Sequence, residues 1–190
     1  HLFMRIMGVK ASNQYNQIIA GCLQNDRVCQ QQLYDTFASK MLAVCMRYAT
    51  TQQEAEDVMI EGFVSVFAHL GDFNQNGNLE AWVRQIMVNK AISNYRNNKR
   101  RYNHAVIDEN IEIQDDLNID IDAKISGKKI IEMIQQMPDN LKMVFNLRIF
   151  EDYEFKDIAG EMGIPTSTAR VYFHRAKEWI TEHIKLENYL

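Results

Sequence analysis

The chain has 190 residues, of which 24% are charged and 46% hydrophobic, and its formal net charge is −4. It contains only eight glycines and two prolines, which is few for a chain of many short strands, so we predict an all-α fold. No apolar run approaches the roughly 20 residues that a membrane-spanning helix needs, and no signal peptide is evident. We therefore expect a cytoplasmic protein without membrane insertion of its own.

The cysteines and histidines give no metal site. Cys22, Cys29 and Cys45 fall in predicted helices and lack the spacing of a metal site, and the five histidines are scattered. We interpret the cysteines as free thiols in a reducing compartment. The sequence therefore predicts no metal and no cofactor.

The first predicted elements are three amphipathic helices. A short helix over 13–23 precedes a second one, which Asp26 caps and which runs to about Ala49. The apolar stripe of this second helix is Leu33, Phe37, Met41, Val44 and Tyr48. Thr51, with Glu54 three residues later, is typical of a capping box and predicts the start of a third helix. That third helix would bury Ala55, Met59, Phe63, Phe67 and Leu70.

The third helix also carries a line of carboxylates. Glu54, Asp57 and Glu61 lie three and four residues apart and so share its outer face. On an isolated helix such a face is most simply solvated. It would acquire a function only against a basic partner.

A polar loop over 71–78 follows, with two glycines, three asparagines and one aspartate. Amide side chains offer both donors and acceptors, which suits the reading of base edges. An ordinary turn explains the same composition at least equally well. The loop contains no basic residue, so it is not a phosphate clamp.

Leu79 to Arg101 is predicted as one long helix of roughly 35 Å. Its apolar side is Leu79, Trp82, Val83, Ile86 and Ala91. From position 84 to 101 there are six basic residues and no acidic one, with Trp82, Tyr95 and Tyr102 interleaved. The helix dipole alone would favour two or three cations at this end. The larger excess indicates a nucleic-acid face, where cations hold phosphates and rings stack on bases.

The segment 102–122 reads as an acidic linker. It holds seven acidic residues and no basic one between Asp108 and Asp122. Fully extended it reaches roughly 70 Å, which is about two turns of duplex DNA. The domains on either side, 13–101 and 123–186, could therefore bind one DNA about two turns apart.

The second predicted domain ends in a helix-turn-helix. Helices over 124–137 and 139–150 come first, the second with Leu141, Val144, Phe145 and Ile149 as its apolar residues. Gly163 then favours the end of a helix and Pro165 the start of the next. One face of that last helix is Ala169, Phe173, Ala176 and Ile180, and the other is Arg170, His174, Arg175 and Lys177. A basic second helix is typical of one that lies in a DNA major groove, and we favour this interpretation over a plain helical hairpin with a solvated basic face.

Taken together, these segments resemble a bacterial RNA polymerase sigma factor of the extracytoplasmic-function (ECF) subfamily. The stretch EAEDVMIEGFVSVF (54–67) is similar to the region 2 helix that docks on the polymerase clamp. GNLEAWVRQIMVNKAISNYRNNKR (77–100) is similar to the helix that reads the minus-ten element. MPDNLKMVFNLRIFEDYEFKDIAGEMGIPTSTARVYFHRAK (137–177) is similar to region 4, and the linker is too short to hold a region 3.

The resemblance implies a promoter-recognition role and assigns its residues. Core polymerase would bind Glu54, Asp57 and Glu61. The minus-ten element would contact Asn74, Asn76, Asn78, Trp82, Asn89, Lys90, Ser93, Arg96, Lys99 and Arg100. The minus-thirty-five element would contact Ser167, Thr168, Arg170, Val171, His174, Arg175 and Lys177. Promoter DNA, core RNA polymerase and an anti-sigma factor are the implied partners.

Two other functions remain open at this point. A one-component helix-turn-helix regulator with a helical sensor domain would dimerise and enclose a ligand within 13–101. An interaction module would instead use both basic faces to bind acidic protein. No GxxxxGK[ST] motif or metal triad is present, so we do not expect an enzyme.

Overall fold

The structure is a computed structural model that describes residues 15–74, 77–101 and 127–187. Helix α1 is described over 15–23. The other helices are α2 (Arg27–Tyr48), α3 (Gln52–His69), α4 (Leu79–Arg101), α5 (Gly127–Gln136), α6 (Asp139–Ile149), α7 (Phe155–Met162) and α8 (Thr166–Glu187), with a 3-10 turn at Leu70–Asp72. The described ranges contain no strand, which confirms the predicted all-α class. The predicted linker lies outside the described residues.

The chain divides into two compact units. The first is His1–Cys45 with Gln52–Ala91, and the second is Met46–Thr51 with Ile92–Leu190. The end of α2 and the end of α4 therefore belong to the same unit as the C-terminal helices. None of the described helices is both long enough and apolar enough to cross a bilayer.

The core of the first unit follows the predicted stripes. The buried residues of α2 and α3 include Leu33, Phe37, Met41, Val44, Ala55, Met59, Phe63 and Val66. Tyr48 and Phe67 are only partly buried. Asp26 caps α2 as predicted, because its Oδ1 accepts a hydrogen bond of 2.8 Å from the Val28 amide. Gly62 lets α3 approach α4 closely, since a β-carbon there would overlap the Met87 sulfur.

The second unit is built on α6, which is buried along its length. Every residue from Leu141 to Leu147 is buried, whereas Ile149 at the end of the predicted apolar stripe is exposed. Helices α7 and α8 pack against α6 and against each other, and their buried residues include Ile158, Ala159, Met162, Ala169, Ala176 and Ile180. The tight turn between α7 and α8 is the predicted one.

Gly163 ends α7 in the left-handed region. Its φ is 62° and its ψ is 46°, and the amide of Ile164 donates to the Ala159 carbonyl at 3.1 Å. A left-handed residue at this position satisfies the last carbonyls of the helix, and glycine adopts it without penalty.

Alanine substitutions of the two glycines near this turn should change the free energy of unfolding in opposite directions. Gly163→Ala should lower the free energy of unfolding by about 1–2 kcal/mol, because the β-carbon penalises the left-handed conformation. Gly160 lies inside α7, and a β-carbon added there would meet open space. Gly160→Ala should therefore raise the free energy of unfolding by about 0.5–1 kcal/mol. Urea unfolding of both variants measures the two changes. Equal changes of the same sign would contradict the assigned turn.

Candidate nucleic-acid interface

The exposed face of α8 is cationic and narrower than predicted. Ser167 and Arg170 are exposed, and His174 and Arg175 are half-buried. The Arg170 guanidinium lies 5.5 Å from the centre of the Phe155 ring, a distance at which the ring attracts and orients the cation. His174 Nδ1 lies 3.5 Å from a carboxylate oxygen of Glu178.

Three other predicted contacts on α8 are buried. Thr168, Val171 and Lys177 are each less than a tenth exposed, and Lys177 Nζ lies 5.3 Å from the Phe173 ring centre. The prediction that Lys177 lies on the exposed face is wrong. Position 177 is four residues after Phe173 and three before Ile180, so helical geometry puts it beside the buried stripe. We therefore restrict the candidate face to Ser167, Arg170, His174 and Arg175.

One side of α4 is polar and open to solvent. Asn89, Ser93 and Arg96 are exposed and recur at spacings of four and three, and Lys90 beside them is half-buried. Lys99 and Arg100 continue the same helix. Asn89, Lys90, Ser93 and Arg96 thus share one surface, which we call the α4 face.

Arg96 and Tyr95 of α4 bond to other helices of the second unit. Arg96 Nη2 lies 2.6 Å from a carboxylate oxygen of Glu161, and its Nε donates to the Glu161 carbonyl at 2.6 Å. Tyr95 donates its hydroxyl to Asn140 Oδ1 at 2.6 Å, and burial raises the pKa of this phenol well above its usual range. Tyr95 is therefore engaged as a neutral donor rather than presented for stacking. Tyr102 lies outside the described residues.

The loop before α4 combines an anchored ring with exposed amides. Trp82 packs against the buried Phe73 with ring centres 5.4 Å apart. Asn74 and Asn78 are exposed, and Asn78 Oδ1 accepts a hydrogen bond from the Ala81 amide at 3.1 Å. Asn78 is thus the N-cap of α4, a role that sequence reasoning did not assign. Asn76 lies outside the described residues.

The outer face of α3 mixes acids with apolar side chains. Asp57 and Glu61 are exposed and Glu54 is half-buried. Ile60 and Val64, on the same stripe, are 54% and 65% exposed. Large apolar side chains held in water between carboxylates are typical of a protein-binding surface. Sequence reasoning missed Ile60 and Val64, although both are apolar residues outside the predicted buried stripe.

Two family models match the chain. The model described as Sigma-70 region 2 matches residues 33–101, and the one described as Sigma-70, region 4 matches residues 127–180. The chain belongs to the sigma-70 family of RNA polymerase sigma factors. Its curated relatives include RNA polymerase sigma-H factor of Pseudomonas aeruginosa, 26% identical with 90% of this chain and 94% of the relative covered. They also include ECF RNA polymerase sigma factor SigW of Bacillus subtilis, 23% identical with 80% and 87% covered.

Solved structures similar to this sigma factor include two complexes. One is CnrH with the cytosolic domain of CnrY, at a TM-score of 0.45 and 13% identity, covering 89% of this chain and 96% of that one. The other is RpoE with the anti-sigma factor NepR from Bartonella quintana, at a TM-score of 0.46 and 17% identity, covering 82% and 96%.

The family match decides among the functions that the sequence left open. The resemblance to ECF sigma factors is confirmed, because both family regions match in the predicted order and the relatives include proteins named as ECF sigma factors. A regulator with a sensor domain is not favoured. This chain is an RNA polymerase sigma factor, whose partners are core RNA polymerase and promoter DNA.

Proposed function

We propose that this sigma factor divides promoter recognition between two helix faces. The α8 face, Ser167, Arg170, His174 and Arg175, binds the upstream minus-thirty-five duplex. The loop residues Asn74, Asn76 and Asn78, with Trp82 and the α4 face, hold unpaired bases of the minus-ten element. Residues 13–101 then act as region 2, 102–122 as an acidic linker and 123–186 as region 4.

The observation that carries this proposal is that two exposed polar faces lie on different helices. Arg170 lies on one of them, and Asn89, Ser93 and Arg96 lie on the other, at least 74 residues away in sequence (170 − 96). Cationic and amide side chains suit phosphate and base-edge contacts respectively. Capture of a flipped base by the loop would offset the few kcal/mol that unstacking costs.

The outer face of α3 is the proposed contact with core polymerase. Asp57 and Glu61 would attract a basic partner surface, and Ile60 and Val64 would pack in its centre. Apolar side chains at the centre of an interface with charged groups at its rim are the usual arrangement in protein complexes. Ile60 and Val64 thus add an apolar part to the polymerase contact, for which the sequence predicted only carboxylates.

The remaining expectations follow from this role. The factor acts in the cytoplasm, where core polymerase and DNA are, and it performs no chemistry of its own. An anti-sigma factor is a further partner, because members of the ECF subfamily are commonly held inactive by one.

Two substitutions of Asn78 distinguish its structural role from its proposed base-binding role. Asn78→Ala should lower the free energy of unfolding by about 1 kcal/mol, because α4 loses its N-cap. Asn78→Asp keeps the capping oxygen and removes the amide donors, so it should keep the stability and reduce promoter opening. Urea unfolding and permanganate reactivity of promoter thymines measure the two effects. Normal opening by Asn78→Asp would remove Asn78 from the base-binding set.

Run-off transcription with purified core RNA polymerase tests the function as a whole. Templates are promoters found by sequencing transcripts after overexpression of the factor. We expect a discrete transcript that requires both the factor and core polymerase. Binding of the factor to duplex DNA without any such transcript would contradict the proposal and favour a one-component regulator.

A further inference from the structure

The ring of Phe155 lies against both helices of the helix-turn-helix. Phe155 is the first residue of α7 and is half-buried. Its ring meets the Phe173 ring of α8 edge to face, with ring centres 5.5 Å apart and an angle of 65° between the planes. Aromatic pairs prefer this geometry. Phe173 therefore favours one orientation of the Phe155 ring against α8.

A side chain of α6 also contacts the Phe155 ring. The Arg148 guanidinium lies 5.3 Å from the ring centre. Arg148 has partners of its own, because its Nη1 donates to the Tyr153 carbonyl at 3.0 Å and lies 3.3 Å from Glu154 Oε1. Contacts from α6 and α8 thus hold the ring between them.

Arg170 is the exposed cation of α8 beside this ring. Its guanidinium lies 5.5 Å from the ring centre, within the distance at which an aromatic face attracts a cation. Arg170 precedes Phe173 by three residues, so both side chains lie on the side of α8 that meets Phe155. Within the described part of the chain, Arg170 makes no hydrogen bond or ion pair.

An aromatic partner orients an arginine without using its hydrogen-bond donors. A carboxylate partner occupies N–H groups, as Glu161 occupies Nη2 and Nε of Arg96, and a DNA phosphate would have to displace it. The Phe155 ring attracts the positive charge of Arg170 and leaves its N–H groups available to DNA. A side chain that is already ordered also loses less conformational freedom when it binds.

We propose that Phe155 is a positioning residue for the upstream promoter contact. The ring holds the Arg170 guanidinium in the orientation in which it meets the minus-thirty-five duplex, and Phe155 acts through this arginine. This role rests on the proposed function, in which Arg170 belongs to the α8 face. It adds a residue of α7 to a contact that the sequence assigned to α8 alone, and it requires an aromatic side chain at position 155.

A double-mutant cycle tests whether Phe155 acts through Arg170. Phe155→Leu removes the ring and keeps an apolar side chain, and it is made alone and together with Arg170→Ala. Phe155→Tyr keeps the ring. The matched control is Phe150→Leu, which removes a half-buried ring that lies 4.3 Å from a different guanidinium, that of Arg47. The readout is the Kd of the holoenzyme for a labelled upstream duplex at fixed salt concentration.

We expect Phe155→Leu to raise this Kd about three- to tenfold, because an arginine without its ring loses more freedom on binding. Phe155→Tyr and Phe150→Leu should stay within about twofold of wild type. In the Arg170→Ala background, Phe155→Leu should have no further effect, since the ring then has no cation to position.

A wild-type Kd for Phe155→Leu, or the same loss with and without Arg170, would overturn the positioning role, as would an equal loss in Phe155→Tyr. If Phe155→Leu fails to fold, Phe155→Met, which also lacks a ring, gives the same comparison. If Arg170→Ala itself keeps the wild-type Kd, the proposed α8 contact fails, and the role of the ring in DNA binding fails with it. Failure of the ring alone would leave the loss in Arg170→Ala unchanged.

NMR of the full free chain gives a readout that needs no DNA. The ring current of Phe155 should shift the Nε–H signal of Arg170 away from the position of an exposed arginine. Phe155→Leu should move this signal back towards that position, and Phe155→Tyr should leave it in place. A signal that is the same in Phe155→Leu and wild type would overturn the proposal.

Discussion

Val64→Glu should strongly weaken binding of this sigma factor to core RNA polymerase. Val64 is 65% exposed on the outer face of α3, so the substitution leaves the fold of the free chain intact. In the complex, the new carboxylate would be buried beside Asp57 and Glu61 without a partner of its own. We expect the Kd for core polymerase to rise at least about 30-fold, the effect of losing a central interface residue.

The chain offers a closely matched control for this substitution. Val28 is also 65% exposed, and Val28→Glu adds the same charge on a different helix, α2. Binding assays with immobilised core polymerase should give the control the wild-type Kd. Equal loss in both variants would indicate a general effect of added negative charge, and no loss in Val64→Glu would remove α3 from the interface.

Arg170→Ala should weaken binding of the holoenzyme to the upstream promoter duplex about tenfold. Arg170 is an exposed cation of α8, and the Phe155 ring beneath it restricts its orientation. Loss of a positioned arginine contact to DNA typically costs about 1–3 kcal/mol. Titration of a labelled upstream duplex at fixed salt concentration gives the Kd, and salt must be fixed because phosphate contacts depend on it.

Lys156→Ala is the control for Arg170→Ala. Lys156 is an exposed cation on α7 outside the candidate face, so its loss changes the net charge equally. We expect its effect on the Kd to be less than twofold. Equal weakening by the two substitutions would mean that general charge, rather than the α8 face, attracts the DNA.

The local signals in the sequence predicted the helices well. Asp26 and Gly163 act through bonds to neighbours in sequence, so their positions alone define the start of α2 and the end of α7. The bounds of α4 agree with the prediction for a similar reason, since a loop of turn-forming residues precedes it. Caps and turns depend on contacts between neighbouring residues, and such contacts can be predicted from a single sequence.

Burial was harder to predict, because it depends on what packs against a helix. Lys177 and Ile149 illustrate this in opposite directions: the lysine is buried and the isoleucine is exposed. Ile60 and Val64 fit no buried stripe, and only the structure indicates that they remain in water.

Long-range polar contacts could not be predicted for a third reason. Partners such as Arg47 and Glu151 lie about a hundred residues apart and show no periodicity. Charge patterning predicted Arg96 as a cation for DNA but could not reveal Glu161 as its partner in the free chain. Such contacts can be seen only in the folded structure.

We propose that one chain binds duplex and melted DNA simultaneously through two separate helix faces. The most direct measurement is a combined footprint of the holoenzyme on one promoter, with phosphate protection upstream and permanganate reactivity downstream. We predict protected duplex and reactive, unpaired thymines in the same complex, about two helical turns apart. Protection of a single duplex site with no reactive thymines, in the presence of core polymerase, would contradict the account.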